Sequence, residues 1–120
     1  MENNRTEQKE ALETLVEFND RLLNNMGIIT KELSGERKED TDKFLKDIIN
    51  AVNWEIGVMN GTLSLLNEGK ERVNKEQFNS KVLKFGEAVQ ANDDAKIAEA
   101  MKELMPEFEG LGKAAKEVME

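Results

Sequence analysis

The chain carries 25 acidic residues but no histidine and no cysteine. Any acid–base or metal chemistry would therefore fall to carboxylates. Imidazole is the commonest general base near neutral pH and the commonest transition-metal ligand, and both roles are removed. Without cysteine there is no disulfide, thiolate nucleophile or cysteine–metal site. Helical metal proteins hold their ions with inward Glu and Glu-x-x-His motifs, a signature that this chain cannot form. A carboxylate-only site would need acids on inward faces. Glu55 comes nearest, at the edge of an apolar stripe, and stands alone. The run "ANDDAKIAE" from Ala91 to Glu99 has adjacent acids but lacks the alternating ligands and central glycine of an EF-hand. Ser34, Ser64 and Ser80 have no imidazole to activate them. No strand precedes a glycine-rich phosphate loop. The six methionines fall on or near apolar stripes, as core filler does. Neither enzymatic activity, nor a metal, nor a cofactor is expected.

The net charge of -8, from 17 basic and 25 acidic residues, repels phosphate backbones, so nucleic acid is not an expected partner. The most basic window, Lys70 to Lys84, is interrupted by Glu71 and Glu76 and reads as a solvated loop and helix start. "MENNRTEQKE" at the N-terminus has no signal-peptide core. No apolar run reaches the roughly 18 residues of a membrane span. A soluble, cytoplasmic protein without membrane contact is the expectation.

The elements that would position any site are helical. One proline and 35 % charged residues favour an all-α chain, and 120 residues suit one domain, 1–120. A first helix is predicted from about Asn4 to Leu33, with Asn4 and Glu7 as a capping box and Ser34-Gly35 as its stop. Its stripe runs through Leu12, Leu15, Val16, Leu22, Leu23, Met26, Ile29 and Leu33; Asn19 interrupts it, either buried in the seam to fix register or, as the favoured reading, at the stripe edge reaching water. A second helix spans about Asp40 to Asn67, with Leu45, Ile48, Ile49, Val52, Ile56, Met59, Leu63 and Leu66 inward and Gly69 just beyond its end. A third is capped by Asn74 and Gln77, stapled by Val73 and Phe78, and ends near Ala91. "NDD" at Asn92 to Asp94 turns the chain into a fourth helix. That helix carries Ile97, Met101, Leu104, Phe108, Leu111 and Ala115 in phase through Pro106. Gly110 and Gly112 are expected to fray its end. The architecture predicted is an up-and-down antiparallel four-helix bundle: two long helices, then two shorter ones, the last kinked at Pro106.

Within the second helix, "NWEIGVMNGTLSLL" places the only tryptophan beside two glycines. At about 100° per residue Trp54 lies opposite the main stripe, together with Ala51, Gly57, Val58, Gly61 and Leu65. A helix apolar on two sides is either central in its bundle or has a second partner. Glycine at 57 and 61 admits a close ring or backbone, at a cost of about 0.5–1 kcal/mol each. Two readings follow. Trp54 packs inside against the third or fourth helix, or its face receives another protein or a second copy of the chain, as in a homodimer.

"DKFLKDIINAVNWEIGVMNGTLSLL" followed by "VLKFGEAVQANDDAKIAEAMKELMPEFEGL" resembles an uncharacterised family of short helical proteins of Gram-positive bacteria. Ile48-Ile49, Trp54, Asn92-Asp93 and Leu104-Met105-Pro106 carry the likeness, over roughly residues 40 to 111. The resemblance implies a helical domain and no assigned activity. A weaker likeness is to small flagellar and export chaperones, acidic bundles that bind partner helices. The function expected is a non-enzymatic interaction or self-association module. The alternatives are a chaperone of that type and a small-ligand-binding bundle.

Overall fold

The computed structural model describes residues 2–119, with side chains from Arg5 onward. Its elements are α1 (Glu2–Leu33), α2 (Thr41–Leu66), α3 (Lys75–Gln90) and α4 (Asp94–Met119), with no strand among the described residues. No helix is long and apolar enough to cross a membrane.

Local chemistry accounts for the joints. Gly69 takes φ +83° after α2, and Asn92 takes φ +53° between α3 and α4, the left-handed conformations that glycine and asparagine tolerate best. Asn67 shapes the α2–α3 loop: its Oδ1 accepts from the backbone N–H of Arg72 and of Val73, both at 2.9 Å. The Asn74 side chain accepts from the Gln77 N–H at 3.0 Å and caps α3, as its spacing predicts. The Gln77 side chain does not close the box; it donates to Glu107 of α4 at 2.6 Å. Asp93 caps α4 by accepting from the Lys96 N–H at 3.2 Å. Asn74→Ala should therefore lower unfolding stability by about 1 kcal/mol, measured by urea denaturation. The capping box expected at Asn4 depends on a side chain outside the described residues, and the helix itself is already formed from Glu2.

Long-range pairs set the directions. Arg5 near the start of α1 meets Glu68 beyond the end of α2 at 2.7 Å. Arg37, between α1 and α2, reaches Asp42 at 2.7 Å and Asp94, the first residue of α4, at 2.9 Å. Gln77 and Lys81 of α3 pair with Glu107 and Glu103 of α4. Neighbours thus alternate up and down. Helices α1 and α4 share the largest contact, α2 packs on α1 and more lightly on α4, and α3 packs on α4 alone. The result is an elongated all-α four-helix bundle of 48 × 24 × 19 Å.

The core lies chiefly between α1, α2 and α4, where Leu12, Leu15, Met26, Met59, Leu104 and Phe108 are fully enclosed. Phe78 of α3 meets Phe108 with ring centroids 5.1 Å apart. Helix α4 passes through Pro106 as one element, as the unbroken phase of its stripe predicts. It spans 26 residues, as many as α2, so α3 is the one short helix. Its second half does not fray: Leu111, Gly112, Ala114 and Ala115 are buried, because the partner stripe of α1 extends far enough to cover them.

Candidate interaction face

Helix α2 is rotated relative to the sequence expectation. Its buried row is Leu45, Ile48, Val52, Glu55, Met59 and Thr62, while Ile49, Ile56 and Leu63 are only half-buried. The apolar arc is wide enough to be satisfied by either setting. Packing on α1 and α4, on one side of α2, selects the one that encloses Glu55.

That rotation leaves Trp54 at the surface, 43 % exposed. It meets Phe18 of α1 edge-on, with ring centroids 5.7 Å apart, and Phe18 is itself 45 % exposed. The Arg21 guanidinium lies 5.8 Å from the Phe18 ring, within cation–π range. The reading that buries Trp54 against the third or fourth helix is therefore overturned: its ring neighbour is on α1, and a large part of it faces water. Below this aromatic pair a hollow of about 650 Å³ opens between α1 and α2. Ala11, Trp54, Gly57, Val58 and Gly61 line it, with Glu7 at its rim. A Cβ added at Gly57 or Gly61 would meet nothing within 4 Å. Within the chain, each glycine thus gives up about 0.5–1 kcal/mol of helix stability and admits no neighbour in return.

Of the six residues assigned to this face, Trp54, Gly57 and Gly61 are exposed, and Ala51 and Val58 are half-buried. Leu65 is a correction: at 3 % exposure it belongs to the core, because at the end of α2 it lies beside Arg5, Arg72 and Val118, from the start of α1, the α2–α3 loop and the end of α4. Sequence reading missed Phe18, which is outside the main stripe of α1. A signal was present. Phe18 follows Ala11 and Thr14 and precedes Arg21 at alternating steps of three and four, a second row along that helix.

Among the buried polar side chains, Glu55 and Asn19 bear most on the packing of the helices. Glu55 is buried to 1 % exposure, and neither carboxyl oxygen has a partner. Loss of water pushes its pKa up to about 8, so the carboxyl is mostly neutral at pH 7. Its placement at the stripe edge is corrected by the rotation of α2. Among the described residues no three acidic side chains converge, and Glu55 is not among the residues lining the hollow. Asn19, expected to reach water, is 4 % exposed and donates to the Phe108 carbonyl of α4 at 3.2 Å. Gly112 makes room for it: a Cβ there would overlap the Asn19 side-chain amide. This is the reason for a glycine in the middle of α4, and it pins the register of α1 against α4.

No curated protein and no solved structure matches the chain. The sequence profile of one family does match, over residues 10–114, from the third turn of α1 to the last turns of α4. That range holds the Phe18–Trp54 pair and the lining of the hollow apart from Glu7 and Gln8, together with Asn19, Glu55 and Gly112, and it shows that the chain belongs to the DUF8042 family, a domain of unknown function.

Proposed function

We propose that this chain is a non-enzymatic protein-interaction module whose docking surface is the Phe18–Trp54 face. The observation that carries the reading is the open glycine hollow beside a half-exposed aromatic pair. Aromatic rings have large apolar areas, and leaving two of them half in water forgoes stability that a partner would recover. Tryptophan is enriched among the residues that dominate binding energy. An enzymatic role has little to draw on: histidine and cysteine are absent, buried Glu32 is engaged by the Thr41 hydroxyl, and buried Glu55 has no polar partner. A small-ligand site gains no support from Glu55, which lies away from the hollow.

Trp54→Ala should weaken complex formation by roughly 2 kcal/mol or more while helicity persists, since the ring is peripheral to the core. Crosslinking in the native cell, followed by sizing of complexes that contain the chain, reads the first effect, and circular dichroism reads the second. Unchanged complexes, or loss of the fold itself, would count against the reading.

A further inference from the structure

We infer that the occupant of this face is a basic amphipathic helix of a partner protein. One lysine or arginine side chain of that helix lies in the glycine hollow, against the Trp54 ring and beside Glu7. The inference rests on the interaction reading and specifies the partner's chemistry.

The sign of the partner follows from charge. Residues 7–21 of α1 and 47–61 of α2 form the face and hold six exposed acids: Glu7, Glu10, Glu13, Glu17, Asp20 and Asp47. Lys9 and Arg21 are the only bases in these two segments. Their excess of exposed acid is half of the chain's net charge of -8, carried on a quarter of its length. Glu7 lines the hollow, and Glu17 and Asp47 line two smaller recesses beside Phe18. Among the described residues none of the six acids forms an ion pair. Elsewhere Glu103 and Glu117 are each met by two bases. The acids of this face are thus left for an outside cation, and they repel an anionic partner. Arg21 is at the far end of the face from Glu7, with its guanidinium beside the Phe18 ring.

The helical form follows from the groove. Helix α4 packs on both α1 and α2 and fills the groove between them on one side. The hollow lies in the groove on the other side, where Gly57 and Gly61 leave the surface of α2 without side chains. Packed helices lie about 8–10 Å apart, and glycine admits a neighbour at the near end of that range. From Glu7 to Arg21 the face is about 21 Å long, roughly four turns of one docked helix.

The lining of the hollow selects the cation. Trp54 supplies an aromatic face and Glu7 a carboxylate, and no base lines it. The alkyl stem of lysine or arginine packs on bare helix surface, while its charged head is attracted by an indole ring and a carboxylate together. Gln8 and Asn53 line the same hollow, and their side-chain carbonyls can accept from the remaining N–H groups.

Selection against the full chain from a displayed library of helical peptides, each of about five turns, tests the inference. The retained peptides are expected to carry an excess of lysine and arginine beside an apolar stripe. They should also shift the emission of Trp54, the only tryptophan. Trp54→Ala and Gly61→Leu should each weaken their binding about tenfold or more with helicity kept, since neither side chain supports the core. Glu7→Lys combined with Glu17→Lys and Asp47→Lys should turn the selection toward acidic peptides. Retained peptides without a basic excess overturn the inference, as does basic binding that survives both Trp54→Ala and Gly61→Leu. In the native cell, a photo-crosslinking residue in place of Gly57 should capture a lysine- or arginine-rich helix of another protein. Capture of a neutral or acidic segment, or of a second copy of the chain, overturns the inference and leaves the interaction reading standing. No capture of any protein also overturns it, and if complexes are unchanged by Trp54→Ala as well, the interaction reading falls with it.

Discussion

Unfolding stability is expected to fall by on the order of 4 kcal/mol between about pH 5 and pH 9, with Glu55 as the cause. In the unfolded chain this carboxyl titrates near its ordinary value of 4.5, and in the folded core near 8. Between those values the folded state holds a proton that the unfolded state has released. Rising pH therefore favours unfolding, starting above the unfolded value and levelling off once pH passes the folded one. The exposed carboxylates work in the opposite direction. Hydrogen bonds and charge from Arg37, Arg5, Lys84 and Lys70 hold Asp94, Glu68, Glu103 and Glu117 below their usual range. Their support is present above the unfolded carboxylate values and is lost only as pH falls below them. Being exposed, these pairs contribute little individually. Stability should consequently peak on the acid side of neutrality.

Glu55→Gln isolates this effect, because the amide keeps the shape and removes the ionisation. Urea denaturation at intervals from pH 5 to pH 9 should show the wild type losing stability while the variant stays nearly flat. Parallel curves would refute the assignment. Glu55→Leu goes further, removing two unpartnered buried oxygens as well, and should be more stable than wild type by about 1–3 kcal/mol even at pH 7. The Glu55 carboxyl is thus a cost that the fold bears without return from any hydrogen bond.

Gly112→Ala should destabilise the protein by roughly 1–3 kcal/mol, the reverse of the usual outcome for glycine in a helix. At an exposed helical site alanine would gain about 0.5–1 kcal/mol. At position 112 the new Cβ would overlap the Asn19 side-chain amide, whose Cγ is 3.2 Å from it. Asn19 must then leave its bond to the Phe108 carbonyl, and a buried amide without that bond is left unsatisfied. Asn19→Ala vacates the space, so the double variant should be less destabilised than the sum of the two single changes. A double-mutant cycle by equilibrium denaturation measures that coupling. Strict additivity, or a stabilised Gly112→Ala protein, would rule out the contact as a determinant of helix register.

Much of this molecule follows from short-range chemistry and is legible residue by residue. Helix ends are set by Asn74, Asp93 and the glycine after α2, because a cap bond or a left-handed turn involves only a few neighbouring residues. The all-α class follows from apolar spacing, and the continuity of α4 through Pro106 from its unbroken phase. Missing residue types remove imidazole and thiol chemistry without reference to any fold. The second apolar side of α2, with Trp54 and its two glycines, was equally visible as a pattern.

What the pattern could not decide was the direction each side faces. An arc as broad as that of α2 can turn through most of a residue step and still bury apolar groups. Only the positions of α1 and α4, set by contacts distant in sequence, chose the rotation. That choice enclosed Glu55, left Ile56 half out, drew Leu65 inward and put Trp54 beside Phe18 instead of inside the bundle. The fit of Asn19 to Gly112 is likewise a property of two helices in register, since neither residue alone signals the other. Periodicity along one chain thus specifies which residues are apolar together, and packing between chains of residues far apart specifies which of them meet water.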